Sequence, residues 1–306
     1  MAMEGTMRVH NRSRTALAFG ALAVAGALAL SGCVDSDAPG AEETTPTDEF
    51  TPVPYEDGTT MADLAAAGTI TIGTKFDQPL FGLAGPDGTP EGFDVEIGKI
   101  IAKNLGIAED DIVWKETVSA NREPFIQSGE VDIVVATYTI NDKRKEVISF
   151  AGPYYEAGQD ILVAAGNPEG ITGPDWFADN PDATVCTVSG STSLANIKEY
   201  TDNVLEAAGY ADCLEPLRTG AAVALTTDNV ILAGLAYTND PEFEVLGDPF
   251  TAEPYGIGLG HDDVDFRMWI NDVLEQAYED GSWAAAWEAT AGTVLPLPEP
   301  PAVDRY

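Results

Sequence analysis

The chain has 306 residues and a one-sided charge, with 51 Asp and Glu against 15 Lys and Arg and a formal net charge of −36. A surface this acidic repels nucleic acids and anionic lipid headgroups, so neither is an expected partner. About 230 residues, from position 61 to 290, remain after a polar N-terminal region, and that length allows one large core or two lobes.

The N-terminus combines basic residues with a short apolar run. Three arginines between positions 8 and 14 precede the run at 16–30. The last residue of the run, Leu30, is followed by Ser31, Gly32 and Cys33. The run is shorter than the roughly 18–20 apolar residues that span a bilayer as a helix, so we interpret residues 1–32 as a signal peptide. A plain secretory signal with an unrelated cysteine is the alternative.

The residues before Cys33 resemble the lipobox of bacterial lipoproteins. The resemblance implies that the Cys33 thiol receives a diacylglycerol before the signal is cleaved. Acyl chains contribute about 0.8 kcal/mol per buried methylene group, which is enough to hold a protein on a membrane without a transmembrane helix. We therefore expect an extracytoplasmic protein, anchored by lipid to the outer face of the bacterial cell membrane.

Residues 33–60 are rich in Asp, Glu, Thr, Pro and Gly and have almost no apolar periodicity. We interpret them as a flexible tether that begins at the lipidated Cys33. A disordered tail is the alternative. The two interpretations differ little, because any lipid-anchored domain needs clearance from the headgroups. The folded part is expected to start near Met61.

Beyond the tether, short apolar runs alternate with helical patterns, as in an α/β protein. The pattern predicts, in chain order, a strand at 69–73, a helix at 93–105, a strand at 111–115, a helix from about 121, a strand at 131–136, a β/α series over 159–246, a strand at 255–259 and final helices. Gly106 is well placed to end the helix at 93–105, and Pro124 is tolerated in the first turn of the helix that follows.

The two other cysteines are expected to form a disulfide. With Cys33 acylated, Cys186 and Cys213 remain in an oxidising compartment. Cys186 lies in the strand-like stretch 183–188, and a helical stretch at 191–208 is expected between the two cysteines. A strand-helix-strand unit would place them side by side. Two unpaired buried thiols are the alternative.

Several motifs resemble those of extracytoplasmic amino-acid-binding proteins that serve ABC transporters. They occur in the family's order at residues 92–97, 127–132, 137–140 with Arg144, 150–155, 188–192 and 255–257. Each motif alone is weak, but together they cover most of the mature chain. The resemblance implies a type II periplasmic-binding-protein-like fold, in which two α/β lobes close around a ligand by a hinge motion.

The resemblance also implies where the lobes lie. Lobe 1 would be discontinuous, formed by residues 61–155 plus 250–291, and lobe 2 would be residues 156–249. Residues 292–306 would be a C-terminal tail. The chain would cross between the lobes near 155–159 and near 247–254.

The resemblance assigns ligand-binding roles to several polar residues. Arg144 corresponds to the arginine that binds the α-carboxylate of the ligand, and Asp228 to the aspartate that binds its ammonium group. Local charge alone would instead favour a solvated Arg144. Thr137 and Thr139 would add hydrogen bonds. Across the cleft, Ser191 and Thr192 begin a helix whose free N–H groups could share the carboxylate, and a simple helix cap is the alternative.

Lys75 is the most informative residue for ligand choice. In the family its loop faces the side chain of the ligand, so a lysine there implies an acidic amino acid, glutamate or aspartate. A solvated loop lysine is the alternative. Phe76 is a candidate wall of the pocket, and so is Phe81, although their loop departs from the family's aromatic pattern.

These residues predict a monomeric binding protein that delivers glutamate or aspartate to an ABC permease. A sensor that signals to a membrane kinase would have the same cleft, and a few relatives with this fold are dehydratases. Once the signal is removed, His261 is the sole histidine, so a nucleophilic triad cannot readily be assembled. Cys/His metal spacing is absent as well. We expect no enzyme activity, no metal and no cofactor.

Overall fold

The computed structural model describes residues 55–306. The expected signal peptide, the acylation site Cys33 and most of the expected tether lie outside the described residues. Among residues 55–306, no helix is long and apolar enough to cross a membrane.

Contacts with the folded domain begin before Met61. Tyr55, expected to lie in the tether, packs edge-on against Trp269, and its hydroxyl donates to the carbonyl of Asn104 at 2.8 Å. The hydroxyl of Thr59 then accepts from Ala62 N–H and caps the first helix. Tyr55 therefore packs on the folded domain, because this aromatic side chain has partners there, and the tether bounds 33–60 stay a prediction from the sequence.

The structure contains thirteen strands and ten α-helices within the described range. The strands are β1 (Ile70–Thr74), β2 (Asp77–Gln78), β3 (Gly82–Ala84), β4 (Pro90–Glu91), β5 (Ile112–Glu116), β6 (Ile133–Val134), β7 (Ser149–Ala157), β8 (Gln159–Ala164), β9 (Val185–Val188), β10 (Val204–Ala207), β11 (Ala224–Asp228), β12 (Phe243–Val245) and β13 (Glu253–Leu259). The helices are α1 (Thr60–Ala67), α2 (Phe93–Asn104), α3 (Arg122–Ser128), α4 (Asp142–Lys145), α5 (Asp175–Asp179), α6 (Thr192–Ile197), α7 (Leu214–Thr219), α8 (Asn229–Thr238), α9 (Val264–Asp280) and α10 (Ser282–Ala289).

Two five-stranded sheets form the framework. The first has the order β5-β1-β6-β13-β7, with β1 parallel to β5 and β6, and β13 antiparallel to its neighbours. The second has the order β10-β9-β11-β8-β12, with β9 parallel to β10 and β11, and β8 antiparallel to β11 and β12. A small third sheet joins β2, β3 and β4. The α/β fold with two lobes is thereby confirmed.

The chain passes between the sheets at two adjacent places. Gly158 alone separates β7 from β8, and residues 246–252 lead from β12 to β13. A Cβ atom on Gly158 would lie 2.7 Å from the carbonyl oxygen of Thr251, so the two crossings run side by side. The lobe boundaries remain a prediction from the sequence.

The core of lobe 1 is aromatic. Phe93 begins α2, and Ile97 and Ile101 continue its buried face at four-residue spacing. Phe81 is fully buried and packs edge-on against Phe93 and Trp287. Phe81 therefore belongs to the core and not to a pocket wall.

The C-terminal segment packs against lobe 1. Asp304 N–H donates to the carbonyl of Gly152 at 2.7 Å, and the hydroxyl of Tyr306 accepts from Phe150 N–H at 2.9 Å. Both partners lie on β7, whose other side pairs with β13. The segment thus covers part of a sheet edge that would otherwise present unpaired backbone groups.

Cys186 and Cys213 form the expected disulfide, with their Cα atoms 5.6 Å apart. The predicted path between them is partly wrong. The helix expected at 191–208 ends at Ile197, and residues 204–207 form β10, which pairs with β9. Cys213 does not precede a strand but immediately precedes α7. The bridge therefore ties β9, an inner strand of the second sheet, to the start of a helix.

Candidate functional site

The site lies between the two sheets, where strands from both end. Lys75 follows β1, Thr137 and Thr139 follow β6, and Asp228 ends β11. The loop after β9 carries Gly190 toward the same region, where its carbonyl oxygen meets side chains of lobe 1. Ligands of open α/β sheets bind at such carboxyl ends of strands.

Arg144 is buried in this cleft rather than solvated, with 7% of its surface exposed. The side chain of Asn141 caps α4, so the short helix begins at a fixed point. The Arg144 guanidinium donates to Glu123 Oε1 at 3.0 Å, to the carbonyl of Thr139 at 2.6 Å and to the carbonyl of Gly190 at 3.2 Å. One edge of the guanidinium therefore reaches the opposite lobe.

Arg122 is a second buried arginine, which the sequence reasoning missed. It donates to the carbonyls of Ala136 and Thr137 at 3.2 Å, and it lies 3.5 Å from the carbonyl oxygen of Gly190. Burial, and then the neighbouring Arg144, lower the pKa of its guanidinium. The one available signal was the scarcity of basic residues in this acidic chain.

Lys75 is buried as well, with 3% of its surface exposed. Its Nζ donates to Ser119 Oγ at 2.8 Å. Burial lowers the pKa of Lys75 to about 7, and Arg122 adds to that effect, whereas Asp77 and Asp94 oppose it. Among residues 55–306, neither Lys75 nor Arg122 forms a salt bridge, whereas Arg144 pairs with Glu123.

Phe76 follows Lys75 and is half-buried. Its carbonyl accepts a hydrogen bond from Ala84 N–H at 3.0 Å, which joins the loop to β3. A role for its ring in the pocket stays a prediction.

Asp94 and Gln78 hold the loop that follows β6. Thr137 has a left-handed backbone with φ of +43°, and its N–H donates to Asp94 Oδ2 at 2.7 Å. The Thr137 hydroxyl donates to Gln78 Oε1 at 3.0 Å. Burial raises the pKa of Asp94 to about 7, and hydrogen bonds from Tyr154 and Thr137 oppose the rise. These contacts fix a strained turn at the cleft.

Asp228 is the acidic group that lobe 2 contributes to the site. Its Oδ2 accepts from the hydroxyl of Tyr255 at 2.6 Å, whereas its Oδ1 is buried and has no hydrogen-bond partner within the described part of the chain. Burial, and then the charge of Glu253, raise the pKa of Asp228 to about 7. A buried oxygen with no partner is costly, so this atom is poised to accept a hydrogen bond.

Ser191 and Thr192 differ in their roles. Ser191 Oγ accepts from Leu194 N–H at 3.0 Å and donates to the carbonyl of Val188, so it serves as the cap of α6. Thr192 Oγ1 lies 3.4 Å from Thr139 Oγ1 across the cleft and 2.8 Å from Glu253 Oε2. The structure therefore brings Thr192 together with Thr139.

The arrangement suits a small zwitterion. Three buried cations, Lys75, Arg122 and Arg144, stand on lobe 1, and the carboxyl group of Asp228 stands on lobe 2. A buried charge must be paired, so a ligand with both a carboxylate and an ammonium group would be neutralised at both ends.

Comparisons with known proteins agree with this fold. Residues 70–289 match the bacterial extracellular solute-binding proteins, family 3. The glutamate-binding protein GluB of Corynebacterium efficiens is 40% identical over 230 residues, which cover 71% of this chain and 76% of that protein. The ABC transporter glutamine-binding protein GlnH of Bacillus subtilis is 39% identical over 227 residues, which cover 73% of this chain and 81% of that protein.

A solved structure shows the same architecture. The crystal structure of the solute receptors for L-cysteine of Neisseria gonorrhoeae has a TM-score of 0.71 to this chain at 32% identity, and the match covers 77% of this chain and 95% of that one. The likeness confirms the predicted two-lobed, type II periplasmic-binding-protein-like fold. With its sequence, fold and cleft in agreement, this chain belongs to the bacterial extracellular solute-binding proteins of family 3.

Proposed function

We propose that the protein is the amino-acid-binding component of an ABC importer, which captures glutamate or aspartate between its lobes and delivers it to a membrane permease. The names of the similar proteins support an amino acid with a short polar side chain, since GluB is a glutamate-binding protein and GlnH a glutamine-binding protein. The choice between acid and amide rests on the charges of the cleft.

The backbone of the ligand would bind between Arg144 and Asp228. Arg144 now donates to the neutral carbonyl of Gly190. A ligand carboxylate would be a stronger acceptor, because charge-assisted hydrogen bonds are roughly twice as strong as neutral ones. At the other end, the free Oδ1 of Asp228 would accept from the ligand ammonium.

The observation that carries the acidic preference is the unpaired charge of Lys75 and Arg122. Both side chains are buried, and among residues 55–306 neither has a carboxylate within salt-bridge distance. A second carboxylate on the ligand would pair with these cations, whereas the amide of glutamine would leave them uncompensated. A cationic ligand would be repelled.

We further propose that the protein acts as a monomer, held near its permease by lipid on Cys33. The long acidic segment after Cys33 would give the lobes clearance from the membrane surface. Because the anchor only restricts position, removing the residues before Tyr55 should leave ligand binding intact.

Calorimetric titration of the domain from about residue 55, with glutamate, aspartate, glutamine, asparagine and arginine, tests the proposal. We expect an acidic amino acid to bind tightest. Lys75→Met should weaken glutamate about 10- to 100-fold but glutamine far less, because a buried charged hydrogen bond contributes about 1.5–3 kcal/mol.

Lys198→Met is the matched control. Lys198 is an exposed lysine that pairs with Glu206 at 2.8 Å on the surface. Its replacement should therefore leave the ranking of the amino acids by affinity unchanged. Tightest binding of arginine, or equal losses for glutamate and glutamine in Lys75→Met, would contradict the acidic preference.

A further inference from the structure

Glu253 is a buried carboxylate at the place where the chain crosses back to lobe 1. It is 3% exposed and begins β13, directly after the second crossing. In the part of the chain that the structure describes, no Lys, Arg or His side chain lies within salt-bridge distance of it. A buried carboxylate without a cation must be stabilised by hydrogen-bond donors.

Three side chains supply those donors. Glu253 Oε2 accepts from the hydroxyl of Thr192 at 2.8 Å, and Glu253 Oε1 accepts from Asn196 Nδ2 at 3.1 Å and from the hydroxyl of Thr251 at 2.8 Å. Thr192 and Asn196 belong to α6 in lobe 2, and Thr251 lies in the second crossing. The carboxylate therefore joins α6 to the second crossing. The two crossings, at Gly158 and at residues 246–252, together form the hinge between the lobes.

The same network includes the first crossing. Gln159, the first residue of β8, donates its backbone N–H to Thr251 Oγ1 at 2.9 Å. Its side-chain oxygen accepts the second proton of the Asn196 amide group at 3.0 Å. Asn196, Glu253, Thr251 and Gln159 thus form a closed ring of hydrogen bonds that ties α6 to both crossings.

The proton positions in this network are determined by Glu253. A carboxylate only accepts, so the hydroxyl of Thr192 gives its one proton to Glu253. Thr192 Oγ1 can then act only as an acceptor toward Thr139, which lies 3.4 Å away across the cleft. The hydrogen bonds run in one direction, from Thr139 to Thr192 to Glu253.

We infer that Glu253 is a positioning residue for the amino-acid site, which holds α6 against the hinge and orients the hydroxyl of Thr192 so that Thr139 can donate to it as the lobes close. The inference rests on the proposed function. It also gives a reason for a buried carboxylate that contacts neither Arg144 nor Asp228 directly.

Glu253→Gln is the direct test, because it keeps the shape but turns one acceptor into a donor. One of the three converging donors then loses its acceptor. In the protein without added amino acid, hydrogen–deuterium exchange of residues 192–197 should be several-fold faster than in the wild type. The affinity for the amino acid that binds tightest should fall about 10-fold.

Glu156→Gln is the matched control. Glu156 pairs with Pro254 in the neighbouring strand, and its side chain is exposed, so the change removes the same charge beside the hinge without touching the ring. Its exchange rates and affinity should match the wild type. If Glu253→Gln does not fold, Asn196→Ala removes one donor, keeps the carboxylate and should give a smaller increase in exchange.

A double-mutant cycle separates positioning from general support of the fold. If Glu253 acts through Thr192, the affinity losses of Glu253→Gln and Thr192→Val should not add, and the double variant should bind about as well as the weaker single one. Additive losses, or unchanged exchange in residues 192–197, would overturn the inference. If the wild type binds no amino acid, the proposed function fails, while the exchange measurement still decides the role of Glu253.

Discussion

Lys75 and Asp228 lie in the same cleft, and their pKa values are shifted in opposite directions. Burial lowers the pKa of Lys75 to about 7 and raises the pKa of Asp228 to about 7. Below that pH Asp228 is protonated and cannot pair with an ammonium group, and above it Lys75 is neutral and cannot pair with a carboxylate. Glutamate affinity should therefore peak near neutral pH and fall by up to about 10-fold per pH unit on either side.

Titrations between about pH 5.5 and about pH 8.5 would measure this profile on both sides of neutrality. In Lys75→Met the alkaline decline should disappear while the acid decline remains. Asp228→Asn should weaken all amino acids by about 100-fold, because it removes one partner of a buried charge pair. An alkaline decline that persists in Lys75→Met would contradict the assignment to Lys75.

Family motifs in the sequence select some residues of this candidate site, but not those that burial alone makes important. Arg144 and Asp228 could be selected from their positions in the resemblance. Arg122 and Glu253 could not, because nothing near them in sequence distinguishes a buried charge from a solvated one. Their environment is made by distant elements, such as the carbonyl of Gly190 for Arg122 and the amide of Asn196 for Glu253.

The disulfide joins β9 to the start of α7 across 27 residues of sequence. Closing a loop of this length restricts the unfolded chain, so Cys186→Ala with Cys213→Ala should lower the free energy of unfolding by about 3 kcal/mol. Guanidinium denaturation would measure the loss. The reduced wild-type protein should lose a similar amount, and equal stability of the oxidised protein and the variant would contradict a stabilising role.

The same region shows where helix prediction from the sequence failed. Residues 204–207 have the composition of a helix, but they pair with β9 in parallel, from Val204 opposite Val185 to Ala207 opposite Val188. Pairing with a strand that is distant in sequence outweighs a local helical preference. By contrast, α2 and α9 were predictable, because each has a long apolar face and a clear end at a glycine or its neighbour.

At the scale of the whole molecule, several hydrogen bonds join the lobes directly, and three of them show how close the lobes come. The carbonyl of Gly190 meets Arg144, the carboxylate of Asp77 accepts from Tyr210 N–H at 2.7 Å, and the hydroxyl of Tyr255 donates to Asp228. The alternation of strands and helices predicted the α/β class, and the motifs predicted two lobes. How closely the lobes approach could not be predicted, since it depends on small residues in loops that carry no periodic pattern.

Gly190 is the clearest of these small residues. Its φ is +77°, and a Cβ atom there would lie 2.7 Å from the Cα atom of Ala120 in lobe 1. That neighbour is backbone and cannot move aside alone, so Gly190→Ala should hold the lobes apart. Small-angle X-ray scattering should show that saturating glutamate reduces the radius of gyration of the wild type but not of the variant, which should also bind at least about 10-fold more weakly.

Gly220→Ala separates the effect on closure from backbone strain. Gly220 has a φ of +75°, close to that of Gly190, but a Cβ atom there meets nothing within 4 Å. Both substitutions therefore impose a similar strain, of about 1 kcal/mol, and only Gly190→Ala adds a clash between the lobes. If both variants become compact with glutamate, the space at Gly190 is not needed for the lobes to close. If neither becomes compact, backbone strain in lobe 2 prevents closure, and the clash with Ala120 is not the cause.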